Sequence, residues 1–268
     1  MKWKFLPFFL PLSLFALEMQ PWFGDVYEFH LLSGYSYSRY TKVDSAIDQL
    51  TSASNDHLLF FDLEFSFSPQ WSIDFDLEFT DTPRQSFSYR SSAVQARYLW
   101  LDDIIGDVIS LATGFSIRNT SSRSLKDVSC PYEGNFDFEA NLSFGKEFDT
   151  FQFWRYRFWG YGAIGLANRG SPWFRGIASF ETNYRDLHKF GAFIIGNHGY
   201  GRKDTVNIAN FYGYARIREK YLDLAFRYGY RVGVWGTLRL EYKRRVLAKR
   251  CPENVNTFMI SFLLPFSF

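Results

Sequence analysis

Residues 70–82 read QWSIDFDLEFTDT and alternate almost without a slip. Trp71, Ile73, Phe75, Leu77 and Phe79 fall on one parity, and Ser72, Asp74, Asp76, Glu78 and Thr80 on the other. In an extended strand successive side chains point to opposite faces, so one face is apolar and the other carries three carboxylates. Two different surroundings are required, and the same habit recurs along most of the chain.

The chain has 268 residues, enough for one large all-β domain. It holds 31 Phe and 17 Tyr, yet 22% of its residues are charged and the mean hydropathy is only −0.20. The aromatic side chains are interleaved with polar ones and do not form apolar runs. Net charge is +2 with both signs mixed along the chain, so no concentrated basic face points to nucleic acid.

The first residues, MKWKFLPFFLPLSLFALEMQ, combine Lys2 and Lys4 with an apolar run from Phe5 to Leu17 and a small Ala16. This layout predicts a secretory signal peptide over 1–17, too short for a spanning helix, and a barrel domain over 18–268. Pro7 and Pro11 argue against a buried N-terminal helix. No other stretch offers about 18 consecutive apolar residues. Cys130 and Cys251 each precede a proline in a polar stretch. In an exported protein they are a possible disulfide, and two unpaired loop thiols are the alternative. No metal-ligand spacing occurs, and no cofactor is expected.

Thirteen alternating spans emerge: 24–38, 57–68, 71–81, 86–101, 107–118, 135–148, 150–167, 173–184, 189–198, 206–218, 220–232, 236–246 and 256–268. Short connections such as Pro69-Gln70, Asp149-Thr150 and Glu219-Lys220 contrast with the longer 41–56 and 119–134. Closure with both termini at one end requires an even number, which makes 220–246 the least secure region. At about twenty residues per strand and connection, the length points to twelve strands, with ten or fourteen open.

The last residues, TFMISFLLPFSF, place Phe258, Ile260, Phe262, Leu264, Phe266 and terminal Phe268 on one parity. In this the chain resembles bacterial outer-membrane β-barrel proteins, whose last strand alternates and commonly ends on Phe. The resemblance covers the whole mature chain as an architecture and implies an all-β transmembrane antiparallel barrel. It also implies lipid on the apolar face, and recognition by the outer-membrane assembly machinery through Phe266 and Phe268. Polar parities then line the lumen. Tyrosines and tryptophans at strand ends, such as Trp22, Tyr37, Tyr40, Trp100, Trp154, Trp159 and Trp173, fit interfacial girdles.

The inward parities are uneven. Asp62, Glu64, Asp74, Asp76, Glu78, Asp137 and Glu139 form an acidic arc from the first half. Arg155, Arg157, Arg175, Arg216, Arg218, Arg227, Arg231 and Arg239, with Lys243, form a basic arc from the second. Arg97 and Arg118 are basic exceptions in the first half, and Glu181, Asp223 and Glu241 acidic ones in the second. Two readings follow. In one, water fills the lumen and opposed arcs filter small hydrophilic solutes, as in a porin. In the other, the arcs pair into a plug and loops 39–56 and 119–134 carry an adhesive or structural role. A catalytic site is not expected: His198 in GNHGYGRKD has no nearby serine to form an outer-membrane phospholipase site.

Overall fold

Twelve long antiparallel strands close on themselves in the computed structural model, which describes residues 19–149 and 153–267. They are β1 (Phe29–Tyr40), β2 (Ser54–Ser68), β3 (Trp71–Thr82), β4 (Gln85–Leu101), β5 (Ser110–Thr120) and β6 (Phe136–Asp149). The second half supplies β7 (Trp154–Ala167), β8 (Trp173–Tyr184), β9 (His188–Gly199), β10 (Lys220–Arg231), β11 (Thr237–Lys249) and β12 (Asn256–Phe266). The expected signal segment and Phe268 lie outside the described residues.

Each strand pairs with its sequence neighbours, and β12 returns to β1 in a ladder running from Phe29 opposite Phe266 to Arg39 opposite Asn256. At this seam Gly34 faces Ser261 so closely that a Cβ on Gly34 would lie 2.2 Å from the Ser261 Cβ. Only glycine lets the first and last strands meet there.

Parity follows the opening stretch. Asp74 and Glu78 are fully buried, while Phe75 and Leu77 are exposed on the outer wall. Phe115, Leu142, Phe158, Ile164, Ile194, Phe226, Leu240 and Phe258 continue the apolar exterior around the barrel. On that exterior Trp71 packs edge-on against Tyr98, and Tyr98 against Trp100. Trp22, Tyr40, Trp159 and Trp173 depart from the girdle expectation: all four are buried. Strand-end position alone does not tell the inner face from the outer.

The two ends differ. At the end that carries the starts of β1 and the finish of β12, connections such as 69–70 and 185–187 are tight. The opposite end carries the long segments 41–53, 121–135 and 200–219. We call these the turn end and the loop end. The tenth expected span, 206–218, is not a strand but part of a loop, and Glu219-Lys220 is not a turn but the entry to β10. The region 220–246, which seemed least secure, forms β10 and most of β11. The misassignment has a physical cause: Val206, Phe211, Tyr214 and Ile217 are apolar because they bury together with Tyr40, Val43, Val128 and Cys251 over the loop end. A short ribbon, Lys42–Val43 with Pro252–Glu253, ties two further loops to that cluster.

Phe75→Arg near the middle of β3 is expected to destabilise the bilayer-inserted barrel by about 2–4 kcal/mol, whereas Thr80→Ser on the inner face costs little. Urea unfolding from phospholipid vesicles measures the difference, and equal effects would contradict the assignment of faces.

Candidate functional site

The lumen holds the charged residues singled out by patterning, but their pairing differs from two facing arcs. Arg97 on β4 is 2% exposed and reaches two carboxylates, Asp74 on the adjacent β3 and Glu64 on β2, two strands away. Its Nε donates to Asp74 Oδ2 at 3.0 Å and its Nη2 to Glu64 Oε1 at 3.0 Å. Arg118 on β5 pairs with Asp76 at 2.7 Å. Glu78 accepts from Ser91 Oγ at 2.8 Å and from the Tyr132 hydroxyl at 2.7 Å, with Arg90 Nε at 3.6 Å. Asp62 is buried in the same wall. On β2 and β3 the acidic arc is therefore met by Arg90, Arg97 and Arg118 from the first half of the chain, whereas Glu139 on β6 is met by Arg175 from the second.

The second-half arginines also find carboxylates at short range, on β6 or within the second half itself. Arg175 pairs with Glu139 at 2.7 Å, Arg227 with Glu241 at 2.8 Å and Arg245 with Asp223 at 2.8 Å. Arg157 pairs with Glu147 at 2.5 Å and Arg155 with Asp149 at 2.9 Å. Inward side chains on strands one or two apart lie within reach of one another along the inner wall. Local pairing therefore wins over pairing across the lumen. A sequence rule that compared inward residues on strands one or two apart would have brought these pairs together.

Arg216 and Arg218 lie off the barrel wall, and Arg231 and Asp137 sit at its two ends. Arg216 and Arg218 belong to loop 200–219: Arg216 is exposed, and Arg218 Nε donates to the Gly201 carbonyl at 3.4 Å. Arg231 is exposed at the turn end and reaches the Gly233 carbonyl. Asp137 serves the loop above it, its oxygens accepting the backbone N–H of Glu133 at 3.2 Å and of Gly134 at 2.9 Å. Cys130 and Cys251 are not joined; both are buried free thiols. Burial pushes the Cys130 thiol up to about 11 and the Cys251 thiol up to about 12.

Space in the lumen is graded along the axis. A polar vestibule of about 410 Å³ opens at the turn end, lined by Arg157, Glu181, Lys189, Arg227, Arg231 and Arg239 among others. Towards the loop end the bore shrinks to cavities of about 50 and about 70 Å³. Tyr132 enters there from loop 121–135, with the Arg118 guanidinium 4.5 Å and the Arg90 guanidinium 5.3 Å from its ring centre. Arg84, in the tight turn 83–84, anchors this loop through Asp127 at 2.7 Å and Ser129 at 2.6 Å. The two long loops are stitched together by Gly213 N–H to the Leu125 carbonyl at 2.8 Å and the Tyr214 hydroxyl to the Val128 carbonyl at 2.8 Å.

Where these loops meet, Glu133 (4% exposed) and Glu219 (1% exposed) share a hydrogen bond, and Asn197 donates to Glu219. Burial, reinforced by neighbouring carboxylates, raises the Glu133 carboxyl well above the usual range. Burial also raises Glu219, with Arg245 and Asn197 opposing it. A carboxyl whose pKa rises on folding stabilises the contact fully below the ordinary carboxylate range and loses that contribution as pH rises through the raised value.

Two predictions follow from this arrangement. Arg97→Met leaves Asp74 and Glu64 buried without their cation and is expected to cost about 3–5 kcal/mol in urea unfolding, much of it recovered by adding Asp74→Asn and Glu64→Gln. Protease nicking of loop 200–219 is expected to increase from about pH 5 to about pH 9, and Glu219→Gln to flatten that rise. A profile unchanged by the substitution would remove the carboxyl pair from the account.

No family model matches the sequence, and a search of curated proteins finds no match. Solved structures do match in shape. An outer membrane channel from Pseudomonas putida F1 superposes with a TM-score of 0.62 at 8% identity, over 90% of this chain and 96% of that one. The NanC porin follows with a TM-score of 0.57 at 11% identity, over 87% of this chain and 98% of that one. The translocator domain of the autotransporter NalP from Neisseria meningitidis gives 0.50 at 8% identity, over 91% and 90%. The chain has the fold of bacterial outer-membrane β-barrels.

Proposed function

We propose that this chain is a porin-like channel of the outer membrane of a diderm bacterium, passing small hydrophilic solutes through a charge-lined lumen. The observation that carries this reading is the combination of an apolar exterior with an ion-paired interior entered from the 410 Å³ vestibule. Outer-membrane channels among the structures of like fold support it. The turn end faces the periplasm and the loop end the exterior, and the assembly machinery reads the segment that carries Phe266 and Phe268. Arg227 and Arg239, together with Arg157, set the electrostatic character of the vestibule.

Between the vestibule and the loop cluster the cavities of about 50 and about 70 Å³ hold only a few waters. Passage therefore requires loops 121–135 and 200–219 to lift, so the conformation described is the closed state of such a channel. That same narrowing favours a second reading, a closed barrel whose loop surface is the functional part.

Single-channel recording of the refolded barrel in a planar bilayer separates the two. The channel reading expects small discrete steps and a reversal potential in a salt gradient that shifts toward cation preference on Arg227→Gln/Arg239→Gln. A correctly folded barrel that stays silent at all voltages sinks it and leaves the loops as the functional surface.

A further inference from the structure

One part of the lumen is not polar. Trp159, Ala163, Phe193, Ile195 and Ala225 place an apolar patch on the inner wall of β7, β9 and β10, opposite in character to the ion-paired wall of β2 to β5. Met19 and Trp22 are buried in the same cluster, each 6% exposed, so residues 19–23 run inside the barrel against this patch.

The contacts are specific. The indole Nε1 of Trp22 donates to Asp103 Oδ1 at 2.8 Å, and the Arg157 guanidinium lies 4.7 Å from the Trp22 ring centre. Arg97 Nη1 donates to the Gln20 carbonyl at 2.9 Å, and the Arg97 guanidinium lies 4.7 Å from the Phe23 ring centre. Asp103 is held ready by Ser110 Oγ at 2.5 Å and by the Glu147 N–H at 2.7 Å. Gly145 on β6 supplies the room: a Cβ there would lie 2.7 Å from Trp22 and 2.9 Å from Pro21. Among the described residues, no backbone group of residues 19–24 pairs with a backbone group of the wall. The segment is thus bound through its side chains and one carbonyl, as a ligand is, and is not woven into the sheet.

We infer that the turn-end half of the lumen is a binding site for an extended peptide carrying a Pro-Trp-aromatic sequence, and that residues 19–23 are its tethered, displaceable occupant. Each element of recognition has its receptor on the wall. The tryptophan is read by the apolar patch and by Asp103, the proline by the Gly145 gap, the preceding carbonyl and following aromatic ring by Arg97. An untethered segment of the same chemistry competes for the site only when the resident one is displaced, because the tether gives the resident a high effective concentration. The site stands whether or not the barrel conducts.

The test uses refolded barrels and a fluorescein-labelled hexapeptide of the sequence Met-Gln-Pro-Trp-Phe-Gly, read by anisotropy. A variant lacking residues 19–23 is expected to bind the peptide saturably, and the intact chain at least about tenfold more weakly. Adding Gly145→Leu to the shortened variant, or replacing the peptide's tryptophan by alanine, is expected to abolish binding, with heat-modifiable gel mobility reporting that the barrel is folded. Equal binding by shortened and intact barrels overturns the inference, and so does binding that survives Gly145→Leu. If the shortened variant does not fold, the full chain with Trp22→Ala takes its place: it must bind the peptide more tightly than the intact chain, and equal affinity overturns the inference. Because no current is measured, this outcome is independent of the conductance result.

Discussion

The interior of a bilayer offers no hydrogen bond to a bare peptide group, and each unsatisfied group there costs several kcal/mol. Closure of β1 on β12 answers this constraint, and the rest of the structure depends on it. An open edge in lipid would strand the backbone of Phe29–Tyr40; the seam instead pairs it with Asn256–Phe266, with Gly34 giving way to Ser261. Once the barrel is closed, inside and outside are defined for every strand. A slip of one residue in β3 would carry Asp74, Asp76 and Glu78 into lipid and bring Phe75 into the bore, so register is held by both faces at once.

Closure also confines charge. The inner wall must accept the polar parity of each strand, and in a twelve-stranded bore those side chains have little water to share. The outcome is a set of short ion pairs between strands one or two apart: Arg97 with Glu64 and Asp74, Arg118 with Asp76, Arg175 with Glu139, Arg227 with Glu241. Each pair ties nearby strands together on the lumen side, so the network reinforces the register that the apolar exterior imposes from outside. Pairs of this kind add little net stability compared with an apolar filling, but losing one member leaves an unpaired buried charge. The wall is therefore intolerant of single changes without being unusually stable.

The barrel was legible in the sequence because its two environments write a period of two on every strand, most clearly in residues 70–82 and 256–266. Reading failed where apolar residues answer to a different neighbour. Val206, Phe211, Tyr214 and Ile217 bury against other loops, so span 206–218 looked like a strand and drew Arg216 and Arg218 onto the wall with it. Trp159 and Phe193 sit on a parity that patterning reserves for polar groups, because a chain segment and not water lies beside them. Local alternation cannot register a contact between residues as distant as Trp22 and Asp103. Arg97 and Arg118 were identified but not their partners, and Arg90 was missed, since these arginines act through proximity between strands one or two apart, which a list of inward residues leaves out.

The bore is thus narrowed at both ends by devices of different physical kind. At the turn end, residues 19–23 cover an apolar wall patch that would otherwise stand in water, so burial of Trp22 and Met19 contributes most of the hold. Such a contact is little affected by salt. At the loop end, the closure rests on Arg84 with Asp127, on Tyr132 between two guanidinium groups, and on the Glu133–Glu219 pair. Those are charged or titratable contacts, and the environment at the outer mouth acts on them directly. A solute entering from the loop side meets a closure that ionic conditions can loosen. One entering from the turn side finds a wide vestibule and then the segment 19–23 packed on its apolar patch. On the proposed channel reading, conduction requires both closures to open, so control over the lumen would be divided between the chemistry of its two mouths.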